Sequence, residues 1–301
     1  HRRNGDRSTS VENRDFILRG CLVNRGRGEA IGICRRLVER QPSQDAQKRM
    51  IYASDLTDTH WQRIEFFFHR QTFRKHHPRS IVNAIFYLNK TGCQWRLLPR
   101  GYPPWETVYY HFRQWAASGL WTRLTDALRR AARVRAGRSP SPSAAIIDSQ
   151  SVKTTLVGGP RGYDGGKKVT GRKRHILVDT MGFLLGVLVH SADQHDSQQA
   201  PHLLHRLLGK APRMKVVFAD EGYLGTPAGL VSRVFRWAWK LVRRDPSTKG
   251  FAVLPKRWIV ERTFAWFGGY RRLSKDYEHL PEVSEAMVQI AAIRMLIRRV
   301  R

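Results

Sequence analysis

Cysteine, acidic residues and long apolar runs are all scarce in this 301-residue chain. Its three cysteines, Cys21, Cys34 and Cys93, are too few and too scattered for a disulfide framework or a four-ligand zinc site, which fits a reducing cytoplasm. No apolar run approaches the roughly 18 residues of a bilayer-spanning helix. The basic N-terminus lacks the apolar segment of a signal peptide. We therefore expect a cytoplasmic protein without a membrane partner.

The shortage of acidic residues leaves a large positive charge. There are 54 lysines and arginines against 24 acidic residues, which gives a formal net charge of +30. Such an excess favours a polyanionic partner, because contacts with phosphate release bound counterions. Aromatic residues interleaved with the basic ones argue against a merely disordered tail. The charge indicates a nucleic-acid-binding protein, with a basic ribosome-associated or simply soluble protein as the alternative.

The first half of the chain is predicted to contain an extension and a helical region. Residues 1–49 are rich in arginine and glycine with little periodicity, and we expect them to form a disordered basic extension. Residues 50–137 carry apolar side chains at helical spacing, with Thr57 or Asp58 as the predicted cap of a first helix, Ser80 as the cap of a second and Gly92 as its stop. Short helices joined by tight turns fit a helix-turn-helix-like DNA-binding domain. An ordinary helical bundle fits the same pattern about as well.

Beyond a serine- and proline-rich linker at 137–143, the pattern changes to strands. Apolar runs at 144–147 and 214–219 predict buried strands, and 175–189 predicts a β-hairpin. Two further segments are predicted to be helical, 197–208 and 258–268. The order of these elements predicts that residues 143–301 form an α/β domain, a mixed sheet flanked by helices.

Three carboxylates stand out against the basic background. Asp148 and Asp220 each follow a predicted strand, and Glu261 lies in the last predicted helix. Side chains at the ends of neighbouring strands meet at one edge of an α/β sheet, where a packed helix can add a third. Three adjacent carboxylates repel one another unless a cation neutralises them, and hard oxygen ligands select Mg²⁺ or Mn²⁺. Two such ions can activate a water or a 3′-hydroxyl for attack on a phosphodiester.

Taken singly, each of these acids also has an ordinary explanation, as a strand-ending turn residue or a solvated helix residue. Two further acids, Asp179 and Asp193, lie in a predicted turn and loop, and the turn role suffices for them. The sequence contexts of the three acids, more than their spacing, favour the metal site.

Those contexts form a set of linked motifs: IIDSQSVKT at 146–154, GRKRHILVD at 171–179, ADEGY at 219–223 and RWIVERTFAW at 257–266. Two earlier motifs, DLTDTHW at 55–61 and GCQWRLLP at 92–99, precede them. In this order the motifs closely resemble the DDE-class transposases of bacterial insertion sequences, and the nearest branch resembles the insertion sequence five family. The resemblance covers about residues 50 to 301.

The resemblance implies an RNase H-like catalytic domain behind the helical DNA-binding region. It implies that Asp148, Asp220 and Glu261 are the catalytic residues and the metal ligands, with two Mg²⁺ or Mn²⁺ ions as cofactors. The implied partners are DNA, as the terminal inverted repeats of the element and as target, and a second copy of the chain in a synaptic homodimer. The implied location is the bacterial cytoplasm, at the nucleoid.

Basic residues near the acids are predicted to hold DNA phosphate. The family signature around the glutamate reads Tyr-x2-Arg-x3-Glu-x6-Lys, in which Arg257 and Glu261 match, whereas Leu254 replaces the Tyr and Gly268 the Lys. We hypothesise that Arg272 and Lys275, eleven and fourteen residues after Glu261 on roughly the same helical face, substitute for the missing Lys. The predicted phosphate-binding residues, from this segment and from a basic loop at 156–173, are Arg257, Arg262, Arg272, Lys275, Lys167, Lys168, Arg172 and Lys173.

Two other functions stay open on the sequence. A hydrolytic RNase H-like nuclease would use the same three acids without strand transfer. An inactive or domesticated DNA-binding relic would keep the basic surface without the chemistry, and the missing signature Lys lends it some weight.

Overall fold

A computed structural model of the chain describes residues 52–68, 75–225, 229, 231–243 and 256–300. The extension predicted at 1–49 and the signature position Leu254 lie outside these residues. Within the described ranges, no helix is both long and apolar enough to cross a membrane.

Helices fill the first part of the described chain and recur between and after the strands. They are α1 (Asp58–Gln62), α2 (Pro78–Thr91), α3 (Trp105–Ala117), α4 (Leu120–Arg135), α5 (Asp196–His205), α6 (Arg257–Gly268) and α7 (Pro281–Ile297). Thr57 caps α1 as predicted, because its hydroxyl accepts a hydrogen bond from the backbone N–H of His60. The predicted cap of α2 at Ser80 is wrong: His77 is the cap, and Pro78 occupies the first turn, where its missing N–H is harmless.

One mixed sheet forms the centre of the described structure. Its strands are β1 (Ala144–Lys153), β2 (Gly162–Asp164), β3 (Val169–Asp179), β4 (Leu184–Ser191), β5 (Val216–Ala219) and β6 (Ala238–Leu241). The order is β4-β3-β1-β5-β6, and β2 pairs with the start of β3. β3 is antiparallel to both β1 and β4, whereas β1, β5 and β6 run parallel. The predicted α/β class and mixed sheet are confirmed.

Alternating side chains on β1 divide the core between the two faces of the sheet. Ile146 packs into one hydrophobic cluster with α6, α7 and the N-terminal helices, whereas Ala145 and Ile147 pack into a second cluster with α5 and β5. Asp148 and Asp220 each lie two residues beyond the last parallel pair, Ile146 with Phe218. This common register places both acids at the same edge, on the face that α6 covers.

The helix α7, which the sequence analysis did not predict, joins the helical region to the sheet. It is buried on all sides between Val283 and Ile297, because it packs on β4 and also against α2 and α4. Ile85 of α2, Trp121 of α4 and Ile293 of α7 therefore belong to one hydrophobic cluster. The division into separate domains at 50–137 and 143–301 stays a prediction.

Two predictions about the strands are wrong. β1 does not end at Ile147 but continues to Lys153, so Asp148 lies within a strand. The segment 156–173 is not one loop, since it contains β2 and the first part of β3. Consequently Arg172 and Lys173 are strand residues, and both are buried.

Candidate active site

The three predicted acids converge on the guanidinium of Arg257. The Nη2 atom of Arg257 lies 3.4 Å from a carboxylate oxygen of Asp220 and 3.6 Å from one of Glu261. The same atom lies 4.0 Å from a carboxylate oxygen of Asp148. Residues that are distant in the chain therefore meet at one point, as the sequence analysis expected.

Local structure explains how each acid reaches this point. Asp148 extends from β1 next to Ser149, whose backbone N–H donates to its carboxylate at 2.7 Å. Asp220 caps the 3₁₀ turn Glu221–Tyr223, where the backbone N–H of Gly222 donates to it at 3.1 Å. Arg257 and Glu261 are one helical turn apart on α6, so their side chains lie on the same face. Glu261 is the most exposed acid of the three, at 56%.

Electrostatics make the centre favourable for a cation. Burial, together with the neighbouring charge of Asp220, raises the pKa of Asp148 to about 6. Burial also raises the pKa of Asp220, although Arg257 opposes this effect. A positive ion near both carboxylates would stabilise their charged forms.

The donor set fits a hard divalent ion, because carboxylate oxygens are the ligands that Mg²⁺ and Mn²⁺ prefer. In the structure Arg257 supplies the positive charge at the point of convergence. Among the described residues, no three Asp, Glu, His or Cys side chains stand at metal-ligand spacing. The guanidinium lies between the acids instead, so an ion would have to displace it.

Four of the predicted phosphate-binding residues besides Arg257 stay accessible. Lys167, Lys168 and Lys275 are exposed, and the Nζ atom of Lys167 lies 3.1 Å from the backbone oxygen of Ser149, beside Asp148. Arg262 stacks between two indoles of α6, with its guanidinium carbon 4.7 Å from the ring centre of Trp258 and 4.6 Å from that of Trp266.

The other three predicted phosphate-binding residues are corrected by the structure, because their charges are used inside the protein. Arg172 is fully buried beside Asp276, at 3.3 Å. Arg272 pairs with Glu278 at 2.8 Å, so it is not placed to replace the signature Lys. Lys173 is buried and lies 3.0 Å from Asp196. Each of these side chains already has a carboxylate partner.

Sequence analysis missed Asp196, a fourth acid near the site. It begins α5, and its carboxylate accepts a hydrogen bond from the hydroxyl of Ser149 at 2.6 Å. Asp179, for which a turn role was predicted, has that role: it accepts from the backbone of Met181 and Phe183. The signal for Asp196 in the sequence was only its place at a helix start, which is a common place for a capping acid.

Comparison with known families identifies the class of domain. A family model described as "Transposase DDE domain" matches residues 139–296, just over half of the chain. A second model, described as a putative transposase of the IS4/5 family, matches residues 56–125. The chain therefore belongs to the transposase DDE domain family. The resemblance to DDE-class insertion-sequence transposases is confirmed.

Two curated relatives come from Burkholderia cepacia. The putative transposase for insertion sequence element IS402 is 28% identical over 127 residues, which cover 40% of this chain and 60% of the relative. The insertion element IS402 uncharacterized 16.2 kDa protein is 34% identical over 82 residues, which cover 27% of this chain and 54% of the relative. The chain thus spans little more than half the length of the curated relatives it matches.

Among solved structures, the crystal structure of the Mos1 Strand Transfer Complex aligns over 99% of this chain and 98% of that chain. Its sequence identity is 12% and its TM-score is 0.22, which is too low to support an argument about the fold.

Proposed function

We propose that this protein is a transposase that binds the ends of an insertion sequence and catalyses metal-dependent DNA strand cleavage and strand transfer. The observation that carries the proposal is the convergence of Asp148, Asp220 and Glu261 on one cation-holding point. Membership of the transposase DDE domain family gives that convergence its chemical meaning.

The finer description of the fold belongs to the same proposal. The catalytic region, 143–301, is RNase H-like, which is supported by a sheet in which Asp148 lies in β1 and Asp220 directly follows the parallel strand β5, while β3 runs antiparallel. The helical region, 50–137, is a helix-turn-helix-like DNA-binding domain. Its match to the IS4/5 model supports this role.

The three acids would hold divalent ions, which the family generally uses, with two Mg²⁺ or Mn²⁺ ions as our specific proposal. The chemistry supplied by such ions, when bound, is polarisation of a phosphodiester and activation of a water or a 3′-hydroxyl for in-line attack. Arg257 then leaves the carboxylates and its guanidinium holds a phosphate of the DNA end. Lys167, which already lies beside Asp148, neutralises the neighbouring phosphate.

The partners are DNA of two kinds, the terminal inverted repeats of the element and the target. A homodimer brings the two ends together in the synaptic complex, and the protein works at the bacterial nucleoid. The formal net charge of +30 supports the DNA partner, because it favours dense phosphate contacts.

A strand-transfer assay tests the proposal. The full chain is mixed with pre-cut element ends, a target plasmid and Mn²⁺, and the products are separated on a gel. Joined end–plasmid products are expected. Linear fragments without joined products would identify a hydrolytic nuclease, and DNA binding without any cleavage would identify an inactive relic. Either outcome rejects the transposase.

A further inference from the structure

Asp196 holds the strand that carries Asp148 from the opposite face of the sheet. Ser149 follows Asp148 on β1, and its side chain therefore projects to the other face. There, its hydroxyl donates a hydrogen bond of 2.6 Å to Asp196. A donor–acceptor pair this short and largely buried fixes the position of β1 at the residue next to the acid.

The charge of Asp196 is held in a buried polar cluster. The Nζ atom of Lys173 lies 3.0 Å from its Oδ1 atom. The Nε2 atom of His175 lies 3.7 Å from the same oxygen and has no hydrogen-bond partner among the residues that the structure describes, although this histidine is fully buried. Although burial favours the neutral acid, His175, Ser149 and Lys173 together lower the pKa of Asp196, so the side chain is a carboxylate.

Asp196 also lies close to Asp220. A methyl group built on Gly222 would lie 3.2 Å from a carboxylate oxygen of Asp220 and 3.6 Å from one of Asp196. Both carboxylates therefore lie on the side of Gly222 where a side chain would be, and besides burial the negative charge of Asp196 contributes to the raised pKa of Asp220. The fourth acid therefore acts on both aspartates of the site, on one through β1 and on the other through its charge.

We propose that Asp196 is a positioning residue of the carboxylate site, which fixes Asp148 through Ser149 and increases the affinity of the site for a divalent cation through its charge beside Asp220. This inference rests on the proposed function, because it assigns Asp196 a role toward the same ions. Acids that lie behind the direct ligands and orient them commonly change metal affinity by about 10- to 100-fold.

A different explanation is that Asp196 only neutralises the buried Lys173. The two roles predict different behaviour when both charges are removed together. If Asp196 only neutralises the lysine, loss of Asp196 harms the site because Lys173 keeps only the more distant Asp164, at 3.8 Å, so removing the lysine as well restores metal binding. In the proposed role, metal binding stays weak.

The experiment measures Mn²⁺ binding to the full chain by titration calorimetry at pH 7.5. The variants are Asp196→Asn, the double variant Lys173→Met with Asp196→Asn, and Asp148→Asn. Asp193→Asn is the matched control, because it removes the same charge from an exposed acid three residues earlier. We expect about 10-fold weaker binding in Asp196→Asn and in the double variant, and unchanged binding in Asp193→Asn. Circular dichroism verifies that each variant is folded.

Wild-type affinity in Asp196→Asn would overturn the inference, and so would wild-type affinity in the double variant. If Asp196→Asn does not fold, the double variant alone decides, since replacing both members of a buried pair is often tolerated. Failure of the proposed function has a different signature: Mn²⁺ does not bind to the wild type, or Asp148→Asn binds it as tightly as the wild type does.

Discussion

Arg172 and Arg257 both lie beside carboxylates, yet their surroundings differ. Arg172 is fully buried and donates to the backbone oxygens of Pro160, Glu278 and His279 while it pairs with Asp276. Arg257 is 23% exposed, and its Nη2 atom lies 3.4 to 4.0 Å from an oxygen of each of the three carboxylates. Arg172, whose three guanidinium nitrogens all donate to backbone oxygens, is a structural residue. Arg257 makes only long contacts with three acids, so a ligand can replace these contacts.

The largest expected effect is on DNA cleavage, when an aspartate beside Arg257 is replaced. Asp148→Asn and Asp220→Asn should each lower DNA cleavage by about 10³-fold or more, because each removes a carboxylate ligand of the divalent ions that would polarise the reacting phosphodiester. The measurement is cleavage of labelled element ends with Mn²⁺. Asp193→Asn serves as the control with the same change of charge and should cleave normally. Near-normal cleavage by Asp148→Asn would show that Asp148 is not a catalytic residue.

The second comparison concerns stability and uses the two arginines directly. Arg172→Met should lower the free energy of unfolding by about 3–5 kcal/mol, because it leaves the buried Asp276 without its partner. Arg257→Met should lower it by less than about 1 kcal/mol, since the pairs at this site are partly exposed. Urea denaturation measures both values. Equal losses would mean that Arg257 is also a structural residue.

The stability of the site around Arg257 should also depend on pH, because the pKa of Asp148 is raised. The pKa of Asp148 is raised from 3.8 to about 6, so its stabilising effect on the folded state is complete below pH 4 and is lost as the pH rises through 6. In metal-free buffer, Asp148→Asn should therefore match the wild type near pH 4 and exceed its free energy of unfolding by about 3 kcal/mol near pH 7.5. Thermal or urea unfolding at both pH values tests this. A constant difference across the range would contradict the raised pKa.

Two lysines at different distances from the acids offer a smaller contrast. Lys167→Ala should weaken DNA binding. It should also make the negative slope of log affinity against log salt shallower by about 0.9, the contribution of one phosphate contact. Lys215→Ala removes an exposed lysine at the start of β5, the end remote from Asp220, and should leave the slope unchanged. Fluorescence anisotropy over a salt series measures both. Identical slopes in the two variants would show that Lys167 does not contact a DNA phosphate.

The smallest expected effect is a gain. Gly268 ends α6 at the position of the signature Lys, and a side chain built there meets no atom within 4 Å. Gly268→Lys should therefore raise the affinity for element ends by a fewfold, because it adds one phosphate contact. Gly268→Gln is the control for the change in helix propensity. A gain of the same size in both variants would attribute the effect to the helix, not to the charge.

Much of the secondary structure could be predicted because its signals are local. The stop at Gly92, the hairpin of β3 and β4, and the helix α6 all follow from residue types within one or two turns of chain. The helix α7 was missed because it is buried on nearly all sides, and its polar residues, such as Glu285 and Arg294, do not form the single polar face by which a surface helix is recognised.

The basic residues of 156–173 show where the sequence is insufficient. Arg172 and Lys173 look like neighbours of the exposed Lys167 and Lys168 in the sequence, and all four were predicted to contact phosphate. Whether a basic side chain turns inward depends on acids that are remote in the chain, such as Asp276 for Arg172. No local pattern carries that information.

The family motifs and the three candidate acids could be read from the amino-acid sequence alone, because motifs are local runs of residues whose order does not depend on folded contacts. The tertiary contacts were needed to show that Arg257 lies among those acids, that Arg172, Lys173 and Arg272 are internal, and that Asp196 accepts a hydrogen bond from Ser149 of β1. These outcomes depend on contacts between distant segments, where burial makes an unpaired charge unfavourable and a paired one tolerable.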